Sequence, residues 1–284
     1  MEIKLKPAII LGYFVLLIIN VTEFRAGILL SVLQLLLGIL LFFPKLGKGP
    51  NWTRSTVYET SLKIAFLSAL VAGISYKWYD VPNHMFLFFY LGLIVLFVKK
   101  EDDIRDNFRW MVVIIMGFAA LHKFSNPNFI SGDFLAYRML SGDFFRPVYM
   151  SGLFPKIKDV LDQNYMAIYE FTQNESFLSE QITLNNVEPN VMAGLKFFVY
   201  LIIGMEFLLA VLFAFFINKR MALIVLLIFV ASIGLIVSEF EFAATLLFMG
   251  GILCPAAYGP LRPLFWTAFV LYAILALQNN IMLM

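Results

Sequence analysis

What most constrains this chain is a succession of apolar runs, each close to the length that crosses a bilayer. A hydrocarbon core of about 30 Å needs roughly 20 helical residues. "PAIILGYFVLLIINVTEF", "AGILLSVLQLLLGILLFF" and "VMAGLKFFVYLIIGMEFLLAVLFAFFI" approach or exceed that length, and "WMVVIIMGFAALHK" is a shorter apolar run. With the run from Val57 to "GISYKWYD", and with "HMFLFFYLGLIVLFV", "MALIVLLIFVASIGLIV", "FAATLLFMGGILC" and "PLFWTAFVLYAILALQ", about nine crossings are expected, or eight if the glycine-broken one stays short. A helix pairs all its backbone polar groups within itself, which lipid demands. The expected fold is therefore an all-α polytopic membrane protein.

Composition agrees, since 61% hydrophobic and 14% charged residues lie outside the range of soluble domains. A net charge of +2 with no basic block gives nothing to hold a nucleic acid. No period repeats along the chain, so residues 1–284 read as one integral domain. The first run follows "MEIKLK" without a small-residue cleavage site, and we read it as a retained helix.

Lys and Arg collect on alternate loops, which sets the expected topology. With the N-terminus cytoplasmic, that side receives Lys4, Lys6, Lys45, Lys48, Arg54, Lys99, Lys100, Arg105, Arg109, Lys219, Arg220 and Arg262, against Arg25 and Lys77 opposite. Residues 124–190 then fall on the extracytoplasmic side. They carry Phe129, Phe134, Tyr137, Phe144, Phe145, Tyr149, Phe154, Tyr165, Tyr169 and Phe171 but no run long enough to cross, as expected of short or interfacial helices. The expected setting is the bacterial cytoplasmic (inner) membrane, with membrane lipids as constant partners. The tripeptides "NWT" at 51 and "NES" at 174 are weak glycosylation signals.

Ionisable residues inside spans are costly, and each is a functional candidate. Glu59 and Lys63 stand four apart in the order that favours a local ion pair. Lys123 ends the fifth run in "AALHKFSNPNFISGDFLAYRML". A lysine there either snorkels to the headgroups or, withdrawn from water beneath a folded-back segment, serves as a base. Asn126, Asn128, Ser131 and Asp133 follow it among aromatics and are candidate cavity groups. His122 lies about 100° around the helix from Lys123 and reads as a helix-end residue. Glu206, deep in "IIGMEFLLAVLF", either makes a structural hydrogen bond or serves a site. Glu239 and Glu241 lie near a helix end, from which Lys123 or Arg138 could be met.

Two histidines, His84 and His122, and one cysteine, Cys254, leave no metal-ligand spacing and no redox pair. No P-loop, GxGxxG or GxSxG occurs, so nothing indicates a nucleotide or a hydrolase.

The stretch "FAALHKFSNPNFISGDF", with "IIGMEFLLAVLF" and "FEFAATLLFMGGILC" after it, resembles the HTTM (horizontally transferred transmembrane) family over roughly residues 60–260. That family includes the membrane domain of vitamin K-dependent gamma-glutamyl carboxylase and is distantly related to DoxX-like membrane proteins. The resemblance implies a base role for Lys123, with Glu206 orienting it or holding a proton, and a quinone or quinol cofactor. It also implies a carboxylase-related enzyme or maturation factor acting on a quinone-like molecule or an exported peptide, since short members work beside partners on exported peptides. The alternative is a non-catalytic membrane subunit that docks a protein partner through residues 124–190.

Overall fold

The computed structural model describes residues 5–23, 28–42, 56–76, 82–141, 144, 155–173, 185, 189–215, 219–237 and 239–282. Lys4, Arg25, Lys45, Lys48, Arg54, Lys77, Phe145, Tyr149, Phe154 and both glycosylation tripeptides lie outside them. The described residues are helical, with no strand among them: α1 (Leu5–Glu23), α2 (Ile28–Phe42), α3 (Thr56–Tyr76), α4 (Pro82–Phe97), α5 (Glu101–Ser125), α6 (Pro127–Ile130), α7 (Asp133–Leu140), α8 (Pro155–Gln173), α9 (Pro189–Phe215), α10 (Lys219–Ile236), α11 (Phe240–Leu253), a 3-10 turn (Ala256–Tyr258) and α12 (Leu261–Met282).

Among the described residues, α5, the Gly194–Phe215 part of α9 and the Leu261–Gln278 part of α12 are long and apolar enough to cross a membrane. Leu5–Val21, Ile28–Phe42, Phe86–Phe97 and Phe240–Leu253 are apolar but shorter. The expected eight or nine crossings are thus corrected to fewer clearly spanning helices. Length is one reason, since the 15 residues of α2 rise only about 22 Å, and polarity is another, since α3 has 21 residues but carries Glu59 and Lys63. Hydropathy counts apolar residues, whereas crossing also requires them to stay in one helix.

The chain divides into two compact units, one of Met1–Phe108 with Phe240–Met284 and one of Arg109–Glu239. In the first, α1 packs against α2, α4, α11 and α12. Tyr13 sits at its centre, fully buried, donating its hydroxyl to the Phe88 carbonyl at 2.9 Å and meeting Phe42 and Phe66 edge-on. Helix α11 is buried from Ala243 through Leu253, the expected fate of a helix apolar on every side. Its Gly250 and Gly251 let α12 approach: a Cβ at Gly250 would overlap the Phe265 ring, and one at Gly251 would lie 2.9 Å from the Trp266 indole.

A polar ladder crosses this apolar interior. The Gln34 amide donates to the Ala69 carbonyl at 2.9 Å, which turns the Gln34 oxygen toward Asn20, whose amide donates to it at 3.2 Å. Asn20 and Gln34 are both buried, so α1, α2 and α3 are tied where water does not compete. Gln34→Leu should lower the thermal unfolding midpoint in detergent, equivalent to about 1 kcal/mol, and adding Asn20→Leu should recover part of it.

In the second unit α5 and α9 run antiparallel, close enough that a Cβ at Gly117 would lie 3.8 Å from that of Ala210. Helices α6 and α7 pack on α9, and α8 packs on α7. Phe129, Leu135, Ala136, Met139, Leu140, Phe144, Leu161, Leu195 and Val199 form the buried cluster there.

Candidate functional site

The sequence itself builds the corner at which α5 ends. Acidic Glu101, Asp102 and Asp103 in the first turn and His122 and Lys123 in the last both complement the helix dipole. Asn126 then caps α6, its side-chain oxygen accepting the Asn128 N–H at 3.0 Å, and Pro127 fills the first helical position, where no N–H is needed. Gly132, at φ 87°, turns the chain into α7, and a Cβ added there would lie 3.7 Å from the Lys196 Cα. Any side chain there would be strained by the left-handed backbone.

This corner brings Lys123 and Glu206 together. The Lys123 Nζ donates to Glu206 Oε1 in an ion pair between α5 and α9, with the Lys side chain 25% exposed and the Glu side chain 5%. Glu206 Oε2 is buried and has no hydrogen-bond partner. The Lys123 ammonium also lies 5.7 Å from the centre of the Phe129 ring, a cation–π distance. Phe134 stacks on Phe129 at 5.7 Å and meets Phe144 edge-on at 6.4 Å, so an aromatic wall stands beside the pair. The charge of Glu239, an exposed residue, also reaches the Glu206 carboxylate.

The other candidates are placed differently. His122 is exposed. Asn128 is exposed, its backbone N–H taken by the cap. Asp133 is exposed and held within its own turn, its carboxylate accepting the Ser131 hydroxyl at 2.6 Å. Arg138 lies over the Phe144 ring at 5.5 Å. Lys196 is exposed on α9. Glu59 and Lys63 form the expected ion pair at 2.7 Å, half-exposed on α3. Cys254 is a free buried thiol, and no three metal-binding side chains gather among the described residues.

Phe129 counts in the sequence only among the aromatics of residues 124–190, not among the candidate site residues. The signal was present: an Asn-Pro helix start three residues after Lys123 folds the chain back, and that turn brings Phe129 over the lysine.

The pair sets a partly exposed ammonium against a carboxylate that is almost fully buried. The arrangement can hold a proton, pass it along the pair, and present the unoccupied Glu206 Oε2 to a donor. Comparison with known proteins returns nothing for this chain: no family model, no curated protein and no solved structure matches it.

Proposed function

We propose that the chain is a carboxylase-related membrane enzyme or maturation factor of HTTM type, in which Lys123 is the base and Glu206 its proton-holding partner. In this reading the protein lies in a bacterial inner membrane, with its N-terminus cytoplasmic and residues 124–190 extracytoplasmic. The observation that carries the proposal is the partly buried Lys123–Glu206 pair, with one buried carboxylate oxygen left over. For Lys123 to act as a base it must first give up its proton, to Glu206 or to water, and its amine must then turn its lone pair from the Glu206 carboxyl toward a bound molecule, whose proton it accepts.

The surroundings fit a quinol. Phe129 and Phe134 offer flat apolar faces, while Lys123 Nζ and Glu206 Oε2 offer polar contacts at their edge. A quinol bound there would supply an acidic ring hydroxyl. Lys123 would take its proton, and Glu206 would keep the amine oriented toward it.

The test uses protein in lipid nanodiscs with a reduced naphthoquinone and oxygen. Oxygen uptake should exceed that of Lys123→Arg by about a hundredfold or more, the ordinary contribution of a positioned base. Equal uptake by the two proteins, with no naphthoquinone binding to either, would sink the reading.

One observation favours the rival, a non-catalytic docking subunit: Tyr165, Met166 and Tyr169 form an exposed stripe on α8. Helix α8 is firmly mounted, because the Asn164 side chain grips the Asn185 backbone through two hydrogen bonds at 2.9 and 2.7 Å. A stoichiometric protein partner lost on Tyr165→Ser with Tyr169→Ser would support that subunit role.

A further inference from the structure

We propose that the last turn of α11 and the first turns of α12 frame a binding site for a phosphate group, of the kind carried by an anionic phospholipid headgroup or by free phosphate. The site lies within the first unit, whereas Lys123 belongs to the second, and it is independent of the role of Lys123.

Three contacts lie close together along the α11 end, at Gly251, Ile252 and Cys254. The Trp266 indole rests on Gly251, where a Cβ would come within 2.9 Å of it, and packs against Phe248 and Phe269. One residue on, the Ile252 carbonyl accepts a hydrogen bond from Arg105 Nη1. Two further on, the Cys254 thiol feels the charges of both Arg105 and Arg262. Arg262 stands one helical turn before Trp266 on α12, so the two share a face.

The donors here outnumber their acceptors. Arg262 Nε and Trp266 Nε1 are both shut off from water with no hydrogen-bond partner. Neither arginine has a carboxylate partner among the described residues. An indole N–H and a guanidinium can only donate, so the missing ligand must accept. Two partly buried cations beside these donors favour an anionic ligand. Donors arriving from α5 and from two levels of α12 suit a tetrahedral oxyanion better than a planar carboxylate, and arginine forks match phosphate oxygens.

Location argues for a lipid source. Helix α12 is one of the helices long and apolar enough to cross a membrane, and Arg262 lies at its beginning, where a spanning helix reaches the headgroups. Basic pockets between helices at that level hold phospholipid headgroups.

The experiment takes the full-length protein, delipidated in mild detergent, and adds phosphatidylglycerol, diacylglycerol with the same acyl chains, or inorganic phosphate. Native mass spectrometry counts bound lipid. The indole N–H resonance of Trp266, assigned through Trp266→Phe, reports contact at the site. Phosphatidylglycerol should bind in preference to diacylglycerol and shift that resonance. Arg262→Gln should weaken binding about tenfold and Trp266→Phe about threefold, matching the loss of a charged and a neutral hydrogen bond. A shift produced by inorganic phosphate, with no preference between the lipids, supports the site with free phosphate as its occupant. An indole resonance unmoved by either phosphate source overturns the proposal. So does lipid binding unchanged in Trp266→Phe, which keeps an aromatic ring on Gly251 and decides the matter even if Arg262→Gln does not fold.

Discussion

Lys123→Met should destabilise the folded protein by about 3 kcal/mol, because it leaves the Glu206 carboxylate buried without its cation. Glu206→Leu should cost less, about 1 kcal/mol, since Lys123 is the more exposed partner and can swing its ammonium toward water. The double variant Lys123→Met with Glu206→Leu should recover most of the loss, as apolar replacements of buried ion pairs commonly do. Thermal unfolding of the three proteins in one detergent measures this directly. Equal costs for the two single changes would mean that the pair is open to solvent. A double variant that is stable yet inactive with the naphthoquinol would separate the chemical role of the pair from its structural one.

Gly250→Val carries the other large effect. The first carbon added at Gly250 already overlaps the ring of Phe265, and Phe265 is itself fully buried, so the ring has no open space to turn into. Overpacking of this kind costs about 1–3 kcal/mol in a well-packed core, and two helices forced apart along a shared face fall at the upper end. Phe265→Ala on the same chain opens room for the valine. Gly250→Val with Phe265→Ala should therefore be less destabilised than the sum of its parts, read from unfolding midpoints. Additive losses would show that Gly250 and Phe265 do not press on each other.

The legibility of the chain differed from place to place, for physical reasons. The all-helical, membrane-like character follows from the apolar runs themselves, because lipid admits few ways to satisfy a backbone. The pairing of Lys123 with Glu206 was half legible: each was marked by the expense of a charge within an apolar run, but 83 residues separate them and no local pattern joins them. Asn128 and Asp133 look like site residues in a list of polar side chains. Their short side chains are spent or exposed at the caps of α6 and α7, a use that the sequence pattern of Asn-Pro and Ser-Gly-Asp already encodes. The number of crossings was the least legible, since the ends of α2 and α4 are set by where helices stop and not by where apolar residues do.

Helix α11 has a consequence for biosynthesis. It is 14 residues long and buried along nearly its whole length, so no face of it is left for lipid. Among the neighbours that enclose it, α1 leaves the ribosome first and α12 leaves it last. A nascent chain halted between α11 and α12 would hold a segment too short to settle across the bilayer alone and missing its largest contact. Assembly of the first unit therefore waits on the C-terminal end of the chain, and loss of α12 should be read by quality-control proteases as failure of the whole unit, not as removal of one helix.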